Sequence, residues 1–187
     1  MSNIITPVAT LSYPSLFTPR AAMPGNTNQE AKYQCTLVFA PGTDLAALNE
    51  AAKACAREKW GDKGEVIYRN QKNKTLRTDG EAKGYPEGSV FMNINSKQKP
   101  GVVSKFKDPL TGKARIITDP MEMYAGCQVK VSVRPFAYDT QGNKGVSFGL
   151  QNVCKVGEGT RLDGHKAAQD EFEGQEPEAA DGMDDLL

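Results

Sequence analysis

The segment CQVKVSVRPFAYDTQGNKGVSFGLQNVCKV, residues 127–156, alternates apolar and polar side chains on both sides of a short polar break. Val129, Val131 and Val133 share one face of the first half, while Lys130, Ser132, Arg134, Phe136 and Tyr138 take the other. A period of two predicts a half-buried strand. The break TQGN, residues 140–143, supplies turn chemistry, so the segment reads as an antiparallel hairpin. Pro135 leaves one question open. If it marks a bulge, the alternation reverses there and Phe136 turns inward; if not, Phe136 points out beside Arg134 and Tyr138.

The same alternation recurs on either side. ATLSYPSLFTPR (9–20) reads as a strand that Pro14 breaks or bulges. In KYQCTLVF (32–39), Tyr33, Cys35, Leu37 and Phe39 oppose Lys32, Gln34 and Thr36. In SVFMNINSK (89–97), Val90, Met92 and Ile94 oppose Phe91, Asn93, Asn95 and Lys97. KPGVVSKF and KARIITDP flank the turn KDPLTG as a further hairpin. Between the second and third of these strands, Leu45, Leu48, Ala52, Cys55 and Ala56 recur at helical spacing, with Thr43 or Asp44 to cap the start and Gly61 to end it. Trp60, at the helix end, either closes the core or stacks on a ligand. Residues 62–88 read as a long polar loop with a short strand at EVIYR. Tyr13, Tyr33, Phe17, Phe39 and Phe148 are assigned to the core. Short strands, glycine-rich turns and one main helix place the chain among mostly-β small barrels or sandwiches.

Charge divides the chain. The 23 bases and 23 acids cancel, yet residues 166–187 hold eight acids and one base. Residues 1–165 are left with 22 bases against 15 acids. The excess lies between Arg69 and Arg115, where eleven bases face four acids. Such asymmetry points to a polyanionic partner for the body, and to a tail that can occupy the same surface. Cations interleaved with exposed rings suit single-stranded nucleic acid, because the cations hold phosphates and the rings stack on bases whatever their sequence. The candidate contacts are Lys72, Lys74, Arg77, Phe91, Lys97, Lys99, Lys105, Lys107, Arg115, Lys130, Arg134, Phe136 and Tyr138. From about Gly157 the apolar pattern fades. Residues 1–160 therefore read as the folded domain and 161–187 as a disordered acidic tail.

Other chemistry lacks its residues. Cys35, Cys55, Cys127 and Cys154 form no C-x-x-C pair and the lone His165 adjoins the tail, so no metal or cofactor is expected and the thiols read as reduced. LTGKAR lacks the first glycine and the closing Ser or Thr of a phosphate loop. Acids of the body are scattered singly, which gives no catalytic pair; the chain reads as a non-enzyme. No run of 18 apolar residues and no secretory leader is seen, so neither membrane nor export is expected.

LSYPSLFTPR, KYQCTLVF, MNINSKQKPGVV and YAGCQVKVSVRPFAYDTQGNKGVSFGLQNV together resemble the single-stranded DNA-binding proteins of tailed bacteriophages, over most of residues 9–164. The resemblance implies an OB-fold, a five-stranded barrel that binds oligonucleotides across strands 2 and 3 and the adjoining loops. It implies a protein that coats single strands in phage DNA replication, recombination or repair, in the cytoplasm of the infected host. Single-stranded DNA is the expected partner, with duplex DNA or RNA bound more weakly. The tail, through Asp181, Asp184, Asp185, Leu186 and Leu187, is expected to recruit phage or host replication and recombination proteins and to compete with DNA. Homo-oligomers are compatible with this. Two other readings remain: a virion structural or assembly protein with a basic DNA-facing surface, and a metal-dependent nuclease or recombination enzyme.

Overall fold

The computed structural model describes residues 2–21, 30–162, 171, 172 and 174. These form strands β1 (Ile4–Ile5), β2 (Ala9–Arg20), β3 (Lys32–Phe39), β4 (Val90–Ser96), β5 (Gly101–Lys107), β6 (Ala114–Ile116), β7 (Gln128–Thr140) and β8 (Asn143–Gly157), with helices α1 (Ala46–Trp60) and α2 (Gly64–Asn70).

The strands join in the order β1-β7-β2-β3-β4-β8-β5-β6, and β7 also pairs with β8. That extra pairing closes β7, β2, β3, β4 and β8 into a five-membered ring, the circuit of an OB-like barrel. Two seams of the ring are thin. β2 meets β7 only at Ala9↔Val129 and Thr10↔Gln128, and β4 meets β8, in parallel, only at Asn95↔Gly149. The inward residues of all five strands fill one core, including Leu11, Leu37, Met92, Ile94, Val129, Val131, Val133, Phe148 and Leu150. The inward and outward sets expected for β3 and β7 are the observed ones. Cys35 and Cys127 lie in that core, and burial pushes their thiols up to about 12 and about 11.

The long hairpin of β7 and β8 turns at Gln141 (φ 52°) and Gly142 (φ 82°), the two positive angles of a primed turn that matches strand twist. Pro135 does not reverse β7. The ladder slips twice, between Gln128↔Gly157 and Val129↔Lys155 and between Ser132↔Asn152 and Val133↔Leu150, and both times the extra residue, Val156 or Gln151, is on β8. The phase of β7 is therefore unbroken: Val133 in, Arg134 out, Pro135 in, Phe136 out. β1 ends opposite Ser132 and Val133, so Pro135 lies where β7 has no second neighbour to miss its N–H.

Helix α1 packs Leu48, Ala52, Cys55 and Ala56 on the core, and Trp60 packs against the same cluster. Its first free N–H, on Ala46, bonds the Asp44 carboxylate at 3.0 Å. The segment EVIYR is not a strand; it lies in α2. The neighbouring α1 offers it a packing surface. Gly64 starts α2 so close to α1 that a Cβ would lie 2.4 Å from the Ala56 carbonyl. Tyr68 then packs on the core and donates its hydroxyl to Asn49 Oδ1 at 3.1 Å. Packing overrides the β-branched pair Val66 and Ile67, as intrinsic strand preference is weak. Among the described residues no helix is long and apolar enough to cross a membrane.

Candidate nucleic-acid interface

β4 and β8 touch at Asn95↔Gly149 and diverge towards their N-terminal ends. The loop 71–79 fills the wedge. On one side Arg77 and Phe91 exchange both backbone hydrogen bonds, at 2.9 and 2.8 Å. On the other, buried Gln71 accepts from the Val146 N–H at 3.0 Å and donates to the Val146 carbonyl at 3.2 Å. Thr75 donates to that same carbonyl at 2.5 Å. The loop is thus stitched into the sheet like a partial strand. It walls a groove of about 790 Å³ whose lining includes Lys72, Lys74, Arg77, Asn93, Asn95, Phe136, Tyr138 and Ser147, with Lys32 at its margin.

Five of the sequence-predicted contacts meet here: Lys72, Lys74, Arg77, Phe136 and Tyr138. Phe136 is 46% exposed. Tyr138 leans across β8, and only a glycine permits it: a Cβ on Gly145 would lie 2.4 Å from the Tyr138 hydroxyl oxygen. Arg77 holds Asp79 through Nε–Oδ1 (3.1 Å) and Nη2–Oδ2 (2.7 Å), and the guanidinium keeps that carboxyl below its ordinary range. The one acid on the groove wall is therefore neutralised by its neighbour.

Phe91 is a correction. It shares the outer face of β4 with Asn93, as its alternation requires, but its exposure is 0%. Residues 77–85 cover it. Tyr85 packs on it with ring centroids 5.5 Å apart, and Arg77 and Lys83 stand 5.0 and 5.1 Å from its centre. Phe91 cannot stack on a base; with Val38 and Tyr85 it forms a small second core that seats the basic loop.

The remaining predicted cations lie elsewhere on the outer surface. Arg134 stands in the cross-strand row Gln34, Asn95, Gly149, Arg134 and donates Nε to Asn3 Oδ1 at 2.9 Å. Lys130 lies further along β7. Lys97 and Lys99 border the turn between β4 and β5, and Lys97 pairs with Glu30 at 3.0 Å. Lys105, Lys107 and Arg115 belong to the β5–β6 hairpin, apart from the groove. There Arg115 grips Glu122 at 2.8 Å, which raises the arginine's pKa and lowers the acid's. Asp181, Asp184, Asp185, Leu186 and Leu187 lie outside the described residues.

A second concavity of about 420 Å³ adjoins the first and shares Asn93 and Asn95 with it; Tyr13, Arg20, Gln34, Thr36 and Lys83 complete its rim. Tyr13, assigned to the core from sequence, is 64% exposed. The ladder explains it. β2 advances three residues, from Ser12 to Ser15, while β3 advances two, from Thr36 to Gln34. The added residue puts Tyr13 outside and returns Leu16 to the core. Tyr13 takes φ 44°, a left-handed conformation that costs a bulky residue about 1–3 kcal/mol. The Y-P pair in an otherwise alternating strand was the available signal.

The sequence matches, over residues 2–186, the family described as "Enterobacter phage Enc34, ssDNA-binding protein". No curated protein sequence matches the chain. Among solved structures, the single-stranded DNA-binding protein from bacteriophage Enc34 in complex with ssDNA shares the fold at TM-score 0.56 and 20% identity, covering 86% of this chain and 89% of that one. The same Enc34 protein in another structure gives TM-score 0.60 at 16% identity, over 91% and 89% of the two chains. Gp2.5, a single-stranded DNA-binding protein encoded by bacteriophage T7, gives TM-score 0.58 at 16% identity, over 89% and 98%.

Proposed function

This chain belongs to the Enc34 phage ssDNA-binding protein family, and we propose from that membership that it binds single-stranded DNA, independently of sequence, in phage DNA replication, recombination or repair. The observation that carries the placement of the strand is the groove between β4 and β8, where Phe136 and Tyr138 face a loop bearing Lys72, Lys74 and Arg77. Bases stack on the two rings, each stack contributing about 1–3 kcal/mol, and the loop cations and Lys32 hold phosphates. A duplex keeps its bases stacked on one another and out of reach of the rings, so single strands are preferred. The protein acts by binding, not by catalysis, in the host cytoplasm. The acids of residues 166–187 compete with DNA for the basic face and offer Leu186 and Leu187 to replication or recombination proteins.

The test is a titration of labelled oligo(dT) against duplex and RNA competitors at two salt concentrations. Tight oligo(dT) binding that duplex fails to displace is expected. Equal binding to duplex and single strand removes the stacking mechanism.

A further inference from the structure

We propose that Tyr13, with the side-chain amides of Gln34 and Asn95, forms a second base-binding subsite for single-stranded DNA, separate from the rings of Phe136 and Tyr138; this rests on the reading of the chain as a single-strand binder. The fold does not need a tyrosine there. The bulge in β2 requires an extra residue at positive φ, which glycine or asparagine fits with less strain. The ring is largely exposed, and its hydroxyl makes no hydrogen bond among the described residues. A strained backbone thus holds a bare aromatic side chain over the polar face of the sheet, where bulges commonly re-aim side chains at functional sites.

What the ring faces has the chemistry of a base site. Gln34 and Asn95 are cross-strand partners, and neither amide is bonded among the described residues. In the next row Thr36 donates to Asn93 Oδ1 at 2.6 Å, which leaves the Asn93 amide nitrogen to donate. These groups offer donors and acceptors to the edge of a base stacked on Tyr13, and Arg20 stands on the rim to meet a phosphate. The shared residues Asn93 and Asn95 join this subsite to the groove of Phe136 and Tyr138. From β7, which carries those rings, through β8, β4 and β3 to β2 is four strand spacings, about 19 Å, a length covered by about five to six nucleotides at about 3.4 Å each. Separate nucleotides of one strand therefore serve the two subsites.

The experiment compares wild type, Tyr13→Gly and Tyr13→Phe by thermal melting and by oligo(dT) titration. Tyr13→Gly removes the ring and relieves the backbone, so it should melt at or above the wild-type temperature. Its affinity should fall by about 5- to 150-fold, the loss of one base stack. Tyr13→Phe keeps the stacking surface and should bind within about two-fold of wild type. Wild-type affinity in Tyr13→Gly overturns the subsite while leaving the single-strand reading intact. A clearly lower melting temperature in Tyr13→Gly overturns it too, because the ring is then a packing element. Failure of the wild type itself to bind overturns the underlying reading, and the subsite with it.

Discussion

Phe136 and Tyr138 project from the same face of β7, but they are held differently. Phe136 is half-exposed and pairs in register with Ser147, a small neighbour. Phe136→Ala should therefore weaken oligo(dT) binding by about 1–3 kcal/mol with little change in melting temperature. A melt lowered by the ~3–5 kcal/mol of a core truncation, with affinity kept, would contradict this placement. Tyr138 depends on Gly145. An alanine there cannot coexist with the present ring position, so Gly145→Ala should lift Tyr138 from β8 and cost about 1–3 kcal/mol of stability. It should also weaken DNA binding, whereas Gly145→Ala in a Tyr138→Ala background should cost less, as a double-mutant cycle would register. At this scale the alternation of β7 was readable, because period two follows from strand geometry alone. The fates of Phe91 and Tyr13 were not. One is hidden by a loop residues away in sequence, and the other is turned out by a one-residue excess of β2 over β3 that no local composition announces.

The loop 71–79 behaves as an element although it has no regular structure. Its position rests on the amide of Gln71, which is 4% exposed and joins Asn73, Thr75 and both backbone groups of Val146. Gln71→Ala leaves the buried Val146 N–H without its partner, so about 1–3 kcal/mol of stability should be lost. The groove wall that carries Lys72 and Lys74 loosens at the same time. Hydrogen exchange should show faster exchange at Val146 than in wild type, with oligo(dT) affinity reduced although no DNA contact was deleted. Unchanged exchange at Val146 would show that Thr75 suffices to hold the loop. Sequence composition marked residues 62–88 as a long loop and so pointed to function, but it missed α2 and gave no hint of the wedge. Strand-like residues became helix there because α1 was the surface within reach, and the wedge exists only because two parallel strands from distant parts of the chain diverge.

At the scale of the whole molecule, the charge division sets the salt response. If the face neutralises about five phosphates, the slope of log affinity against log salt should be near −3.5, at about −0.7 per phosphate of a single strand. Binding that is flat in salt would leave the cations without a role. The acidic segment adds a second term. Its eight acids are tethered to a basic body, and a tether keeps them at a local concentration on the order of millimolar. Even a weak contact is then populated, while DNA, with its denser charge, displaces it. A chain stopped after His165 should bind oligo(dT) more tightly than the full chain at low salt. The gap should narrow as salt rises, because screening weakens the internal contact along with the DNA contact. The core runs from Ala9 to Val153, so this truncation removes no core residue and the two proteins should melt alike. A capture assay with replication proteins should find them on the full chain and not on the shortened one. Equal affinities at both salt concentrations would mean that the acids are not set against the basic face, and would leave the segment a recruiting role alone.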